Sequence, residues 1–118
     1  MTIALICNKN KQTLLLNFAK AYHSVLSKHK IISTGNVAAQ IEKSIPIKVT
    51  KLNALQDDSN ELILPKIANS EIDMLIFFRG DGFHSKIDSD ILLMCDRYNI
   101  LYATNPASAE ILIKSLII

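Results

Sequence analysis

Residues 79–90 combine side chains that can move protons with side chains that can bind anions: an arginine, a lysine, a histidine, three carboxylates and two glycines. Among the side chains that can act as general acid or base, Asp81, His84 and Asp90 are the catalytic candidates, whereas Asp88 is a candidate for a helix cap. An apolar run over residues 74–78, typical of a strand buried on both faces, ends at Arg79. Open α/β sheets place ligand sites where such a strand opens into a loop, so a functional site is predicted here. Composition alone favours a solvated surface loop, and the convergence of five strand-end loops is what favours a functional site.

Apolar runs and helical periodicity alternate along the rest of the chain. Strands are predicted at residues 2–7, 31–34, 45–51, 74–78 and 100–103. Helices are predicted at residues 11–28, from residue 36, from the polar loop 53–61 to residue 70, from Asp88 or Ser89 to Arg97, and from Pro106. Alternation of this kind forces parallel strands with right-handed crossovers and helices on both faces of the sheet. The chain is therefore predicted to be a single α/β domain, residues 1–118.

Proline positions indicate where several of these elements begin. Pro46 predicts a strand start or an edge strand, because proline cannot donate to a ladder of hydrogen bonds. Pro65 is expected in the first turn of its helix, since an interior proline would cost about 3 kcal/mol. Asn105 is predicted as the N-cap of the last helix, with Pro106 at the first helical position.

Polar residues follow every predicted strand, and the loops after parallel strands emerge on one side of a sheet. These residues are Asn8, Lys9 and Lys11; Thr34, Gly35 and Asn36; Asp57, Asp58 and Asn60; Arg79 to Lys86; and Thr104 and Asn105. Helix N-termini in the same place supply backbone N–H groups and positive dipole ends, which suit phosphate or carboxylate. The convergence predicts one ligand site, with an anion as the favoured ligand.

Composition excludes several classes of function. A net charge of +2 without a dense basic stripe argues against binding a nucleic-acid polymer. The apolar runs fall far short of the ~20 residues that span a bilayer, and no signal peptide is recognised, so a cytoplasmic protein is expected. Cys7 and Cys95 lack metal-type spacing and are predicted to be buried free thiols, and neither a metal nor a cofactor is predicted. The apolar residues 116–118 are expected to lie against the core or a neighbouring subunit.

Several segments resemble the methylglyoxal synthase family over almost the whole chain. They are Ile3-Ala-Leu-Ile6, Thr34-Gly35, Ile72-Asp73, Ile76-Phe-Phe-Arg79, Asp90, Cys95-Asp-Arg-Tyr-Asn-Ile100, and Ala103-Thr-Asn105 followed by Ala109-Glu110. The resemblance implies a three-layer α/β/α sandwich with a five-stranded, mainly parallel sheet, usually assembled as a hexamer. It also implies elimination of phosphate from dihydroxyacetone phosphate to give methylglyoxal. In that reaction an aspartate removes a proton, a histidine serves the carbonyl, and lysine and threonine hold the phosphate.

The chain departs from the family at most of the positions that carry this chemistry. The His-Asp pair after the first strand becomes Asn8 and Lys9, and the lysine that holds phosphate becomes Gln12, beside Lys11. The aspartate base becomes Asn60, an amide that cannot take a proton.

Two further loops are also changed. The family's Thr-Gly-Thr-Thr-Gly turn reads Thr34-Gly35-Asn36-Val37-Ala38, which removes two hydroxyls. The Asp-Pro after the fourth strand becomes Gly80 and Asp81, and the histidine of that loop falls on Ile87. Of the family's acid–base set, only Asp90 is retained.

These substitutions predict a catalytically degenerate relative that binds a small phosphorylated or anionic molecule, such as a metabolite, a nucleotide or a signal. The ligand-binding residues are predicted to be Asn8, Lys9, Lys11, Thr34, Gly35, Asn36, Asn60, Arg79 and Asn105. An active methylglyoxal synthase, a carbon–oxygen lyase, is one alternative, with catalytic residues Asp90, Asp81 and His84. A structural or interaction protein is the other. The resemblance predicts a homo-oligomer, a hexamer, in each case.

Overall fold

A five-stranded, entirely parallel sheet forms the centre of the protein in a computed structural model that describes residues 1–52, 60–80 and 86–117. The strands are β1 (Thr2–Cys7), β2 (Lys30–Ser33), β3 (Val49–Lys51), β4 (Met74–Phe78) and β5 (Leu101–Ala103). Their order across the sheet is β3-β2-β1-β4-β5, and all four neighbouring pairs run parallel. The chain reverses its direction of winding between β3 and β4, so the carboxyl ends of β1 and β4 border the point where ligands bind in open sheets.

Within the described ranges, six helices cover the two faces of the sheet. They are α1 (Gln12–Ala21), α2 (His23–Leu26), α3 (Gly35–Ser44), α4 (Ile63–Ala68), α5 (Lys86–Arg97) and α6 (Pro106–Lys114). Short 3₁₀ turns, Lys9–Lys11 and Asn60–Leu62, precede α1 and α4. One hydrophobic core joins the sheet to α1, α3 and α6, and a second joins it to α4 and α5. The predicted three-layer α/β/α sandwich is confirmed.

Strand β4 explains why the apolar run at residues 74–78 has no alternation. Met74, Ile76 and Phe78 pack into the core shared with α1, α3 and α6, whereas Leu75 and Phe77 pack into the core under α4 and α5. All five side chains are buried, because a central parallel strand is covered on both faces. Replacing Phe77 with alanine would cost about 3–5 kcal/mol through the cavity it leaves.

Several boundary predictions are confirmed. Pro65 lies in the first turn of α4. β3 is an edge strand, although Pro46 lies three residues before it and is not its start. Asn105 caps α6, since its Oδ1 accepts the N–H of Ser108 at 3.0 Å, and Pro106 is the first helical residue.

Three boundary predictions are wrong. The helix predicted at residues 11–28 is interrupted at Tyr22, where φ is −115° and ψ is 21°. The strand predicted at residues 45–51 contains only Val49–Lys51, and the N–H of Val49 donates to Glu42 Oε2 at 3.0 Å. Helix α5 already includes Lys86, so Asp88 lies inside its first turn and neither Asp88 nor Ser89 is its N-cap.

The two thiols are free and buried, as predicted. Burial raises the pKa of Cys7 to about 11, and burial with the neighbouring Asp96 raises the pKa of Cys95 to about 12, so both are protonated near neutrality. In the apolar tail, Leu116 packs against the larger core and Ile117 is exposed, while Ile118 lies outside the described residues. None of the helices among the described residues has the length and apolarity needed to span a membrane.

Candidate functional site

Asn8 joins the ends of the two central strands to helix α5. Its backbone N–H donates to the carbonyl of Phe78 at 3.0 Å, and its side-chain Oδ1 accepts the N–H of Gly80 at 2.5 Å. Its Nδ2 donates to Asp88 Oδ2 at 3.3 Å, and Asp88 is only 5% exposed. An amide can accept and donate at once, so Asn8 satisfies both neighbours. The predicted ligand residue Asn8 is therefore already bonded to the protein on both sides of its side chain.

A first pocket of about 170 Å³ opens beside Asn8, at the ends of β1 and β2. Its lining residues are Cys7, Asn8, Lys9, Gln12, Thr34, Asn36, Val37 and Asn60. Thr34 precedes α3 with an extended backbone and makes no side-chain capping bond, although its side chain is buried. Asn60 is fixed from the opposite side, since its Nδ2 donates to the carbonyl of Cys7 at 3.1 Å.

The chemistry of the first pocket comes from amides, a hydroxyl and the ammonium of Lys9. Carboxylates are lacking among its described lining residues, and the Cys7 thiol is protonated because burial raises its pKa to about 11. Gly35 starts α3, a ten-residue helix whose N-terminus carries partial positive charge. The arrangement suits an anion, and the described lining residues include no carboxylate or thiolate that could act as a nucleophile.

A second pocket of about 270 Å³ lies at the ends of β4 and β5. Its lining residues are Lys11, Leu14, Phe78, Arg79, Gly80, Thr104, Asn105 and Pro106. The backbone N–H of Arg79 donates to the carbonyl of Thr104 at 3.5 Å, which holds the two strand ends together. The predicted ligand residues are thus divided: Asn8, Lys9, Thr34, Asn36 and Asn60 line the first pocket, and Lys11, Arg79 and Asn105 line the second.

Asp90 lies away from both pockets. It is partly exposed, and its Oδ2 is 4.0 Å from Lys86 Nζ one turn earlier in α5. With Leu64, Leu93, Met94 and Arg97 it lines a separate groove. Its predicted catalytic role remains a prediction, as do those of Asp81 and His84, which lie outside the described residues together with Asp57 and Asp58.

Helix α5 places the carboxylate of Asp88 at the strand ends, where it accepts a hydrogen bond from Asn8. From the sequence, Asp88 was predicted only as a possible N-cap of that helix. Ile91 and Cys95 are buried in the same helix, three and seven residues later. That spacing places Asp88 on the buried stripe, whereas Asp90 falls off it. The helical period was the signal that could have distinguished the two.

Gly80 permits a close approach that the sequence did not reveal. A Cβ atom placed on Gly80 would lie 2.6 Å from Oδ1 of Asn10, well inside contact distance. The Asn10 side chain therefore rests on the glycine backbone. Across the described ranges, no cluster of three His, Cys, Asp or Glu side chains is arranged to hold a metal ion.

Proteins with established names match the chain over nearly all of its length. It is 35% identical over 119 residues to methylglyoxal synthase from Alkaliphilus metalliredigens, covering 98% of this chain and 89% of that protein. It is 37% identical over 119 residues to methylglyoxal synthase from Caldicellulosiruptor saccharolyticus, covering 98% and 84%. No model of a protein family matches the chain.

A solved structure has the same fold. The crystal structure of methylglyoxal synthase from Elizabethkingia anophelis superposes with a TM-score of 0.80, covering 95% of this chain and 76% of that one. Its sequence identity of 24% supports the fold alone. The identities of 35% and 37% over 98% of the chain go further, and they show that this chain belongs to the methylglyoxal synthase family.

Proposed function

We propose that the protein binds a small phosphorylated or anionic molecule in the first pocket and does not eliminate its phosphate. Asn60 carries this proposal. By resemblance it stands where the family has its proton-abstracting aspartate, and its side chain lines the pocket with Nδ2 donating to the carbonyl of Cys7. Formation of an enediolate needs a base within hydrogen-bond reach of the carbon acid, and an amide is not a base.

Binding of an anion is supported by what the first pocket retains. Thr34 and Gly35 preserve the start of the family's phosphate turn, and Gly35 is also the first residue of α3, with Thr34 at its N-cap. The exposed Lys9 adds a positive charge at the rim. Backbone N–H groups, a hydroxyl and an ammonium are the groups that hold phosphate in many proteins.

Calorimetric titration with dihydroxyacetone phosphate tests the proposal. We expect saturable binding that weakens about tenfold in Lys9→Gln, since a bond from a charged donor contributes about 1.5–3 kcal/mol. Lys48→Gln is the matched control, because Lys48 is exposed, carries the same charge and lines a different cavity. Equal effects of the two substitutions, or no binding by the unaltered protein, would contradict the proposal.

An active methylglyoxal synthase is the second candidate. It is favoured by the relatives, which carry the name methylglyoxal synthase and align over 98% of the chain. Asp57, Asp58, Asp81 and His84 follow the third and fourth strands in the sequence and would have to supply the acid–base chemistry. This candidate predicts methylglyoxal formation that falls strongly in Asp81→Asn or Asp90→Asn.

Exposed apolar side chains support the third reading, a protein that works through assembly. Leu93, Leu101, Ile111 and Ile117 are 51–68% exposed. The resemblance predicts a hexamer, and light scattering on the purified protein tests it, since a monomer would contradict that prediction. We also propose that the protein is cytoplasmic, and cell fractionation tests that location.

A further inference from the structure

Arg79 is a partly buried cation with no partner anion among the residues that the structure describes. Its Nε is buried and has no hydrogen-bond partner, and its guanidinium forms no ion pair with any described residue. The guanidinium group of an arginine carries a permanent positive charge. A charge removed from water without a partner destabilises a protein, and native structures supply a partner from the protein, an ion or a ligand.

The groups around Arg79 add to its positive character. Lys11 lines the same pocket from the 3₁₀ turn after β1. Pro106, also in the lining, is the first residue of α6, a nine-residue helix whose N-terminus carries partial positive charge. Two cationic side chains and a helix N-terminus therefore border one cavity of about 270 Å³.

Two carboxylates of neighbouring described elements, Glu110 of α6 and Asp96 of α5, interact with groups other than Arg79. Glu110 of α6 accepts the hydroxyl of Tyr22 at 2.6 Å and lies 3.0 Å from Lys114. Burial raises the pKa of Tyr102, Asp96 raises it further, and the charge of Arg79 opposes the rise. Asp96 thus acts on the tyrosine of β5 without forming an ion pair with Arg79. Carboxylates are absent from the described lining of the second pocket.

We propose that the second pocket is a separate anion site, in which Arg79 and Lys11 bind the phosphate group of a small molecule. This proposal goes beyond the one made for the first pocket, because the two pockets share no lining residue. Arginine suits the task because its planar fork of donors matches the oxygens of phosphate. Thr104 and Asn105 border the same space and add polar groups from the end of β5.

Titration with inorganic phosphate, followed by the amide NMR signals, tests the two pockets in one sample. The amides of Arg79, Thr104, Asn105 and Ala107 report on the second pocket, and those of Gly35, Asn36 and Val37 report on the first. Sodium chloride at matched ionic strength is the blank. We expect saturable phosphate-dependent shifts in the second-pocket group that chloride does not produce.

Substitution of Arg79 decides the assignment. Arg79→Gln is expected to weaken the second-pocket response about tenfold or more, while the first-pocket response stays within about twofold. Arg97→Gln is the matched control, since it removes the same charge from an exposed arginine that lines another groove. Arg79→Lys keeps the charge and is expected to bind with intermediate affinity, so a folding defect in Arg79→Gln leaves a second test. Normal amide dispersion shows which variants are folded.

Either of two results would overturn this proposal: absence of saturable shifts in the second-pocket group, or equal phosphate affinity in Arg79→Gln and the unaltered protein. Shifts confined to Gly35, Asn36 and Val37 would support the first-pocket proposal and reject this one. Shifts confined to the second-pocket amides would support this proposal and reject the first-pocket proposal.

Discussion

The two pockets at the strand ends hold their polar groups in opposite ways. In the first, the amides of Asn8 and Asn60 are already bonded to the protein, to Gly80, Asp88 and Cys7. In the second, Arg79 has a buried Nε without a partner. A site whose dipoles are fixed in advance loses little entropy when it binds, whereas an unpaired charge gains most from an anion.

The 3₁₀ turn Lys9–Lys11 connects the two pockets. Lys9 lines the first and Lys11 lines the second. A 3₁₀ helix has about three residues per turn, so positions two apart point in different directions. One short turn therefore supplies a cation to each pocket, and a shift of the turn would alter both.

Loss of the Asn8 side chain is expected to have the largest effect on stability. Asn8→Ala leaves the N–H of Gly80 and the buried carboxylate of Asp88 without this partner, and we expect a loss of about 2–3 kcal/mol. Urea unfolding measures it. Asn10→Ala, the same change at an exposed position two residues away, should stay within about 0.5 kcal/mol. A loss for Asn8→Ala no larger than for Asn10→Ala would mean that the amide does not hold the strand ends.

A carboxylate added to the first pocket should lower its affinity for phosphate without changing that of the second pocket. Asn36→Asp places a negative charge in the first turn of α3, and we expect phosphate affinity there to fall about tenfold through like-charge repulsion. The response of the second pocket should be unchanged. Asn69→Asp, at the exposed end of α4, is the control for net charge. Equal weakening in both pockets would show that they are not independent.

Gly80→Ala tests the packing of Asn10 with a smaller expected effect. The added Cβ must displace the Asn10 side chain, which is exposed and free to rotate, so we expect a loss of about 0.5–1 kcal/mol. The loss should shrink when Asn10→Ala is combined with Gly80→Ala. Urea unfolding of the unaltered protein, the two single variants and the double variant measures these losses. If Gly80→Ala lowers stability equally with and without Asn10→Ala, the strain does not come from contact with Asn10.

The bond between Tyr22 and Glu110 should give the smallest effect, visible mainly as a pH dependence. The hydrogen bond from Tyr22, together with Lys114, lowers the pKa of Glu110 below its usual 4.5. The hydrogen bond to Glu110, with burial, raises the pKa of Tyr22 above 10.0. The stabilisation is therefore complete between those values, lost as pH falls through the lowered pKa of Glu110, and lost as pH rises through the raised pKa of Tyr22.

Unfolding curves of the unaltered protein and Tyr22→Phe across pH test this. The difference in unfolding free energy between the two proteins should be constant near neutral pH and should disappear at the acidic and the alkaline ends of the range. A difference that does not depend on pH would show that Tyr22 contributes through packing and not through the hydrogen bond.

Strand β4 and the α6 cap could be predicted because their signals are local. The apolar run at residues 74–78 admits only a doubly buried strand, and Asn105 before Pro106 fits only a helix start. The break at Tyr22 could not be predicted, since the apolar stripe continues through Val25 and Leu26 beyond it. Tyr22 also bonds to Glu110, 88 residues away, and sequence periodicity carries no information about that contact.

The sequence indicated that the candidate site lies at the strand ends, but it did not indicate which residues share a pocket. Parallel topology brings all the strand-end loops together, so the convergence of Asn8, Thr34, Arg79 and Asn105 follows from the fold class. The period that Asp88 shares with the buried Ile91 and Cys95 could have distinguished it from Asp90, because two residues rotate a helix by more than half a turn. Which residues share a pocket depends on side-chain direction, and that arises from packing between elements, which the local sequence does not specify.

Binding without elimination is the central claim, and phosphorus NMR of dihydroxyacetone phosphate with the purified protein tests it most directly. One spectrum reports both events, because bound substrate shifts or broadens its own signal and released phosphate gives a separate one. The account predicts a saturable change in the substrate signal, with inorganic phosphate rising no faster than in the sample without protein. Phosphate release in proportion to protein, reduced in Asp90→Asn, would contradict it and identify an active synthase.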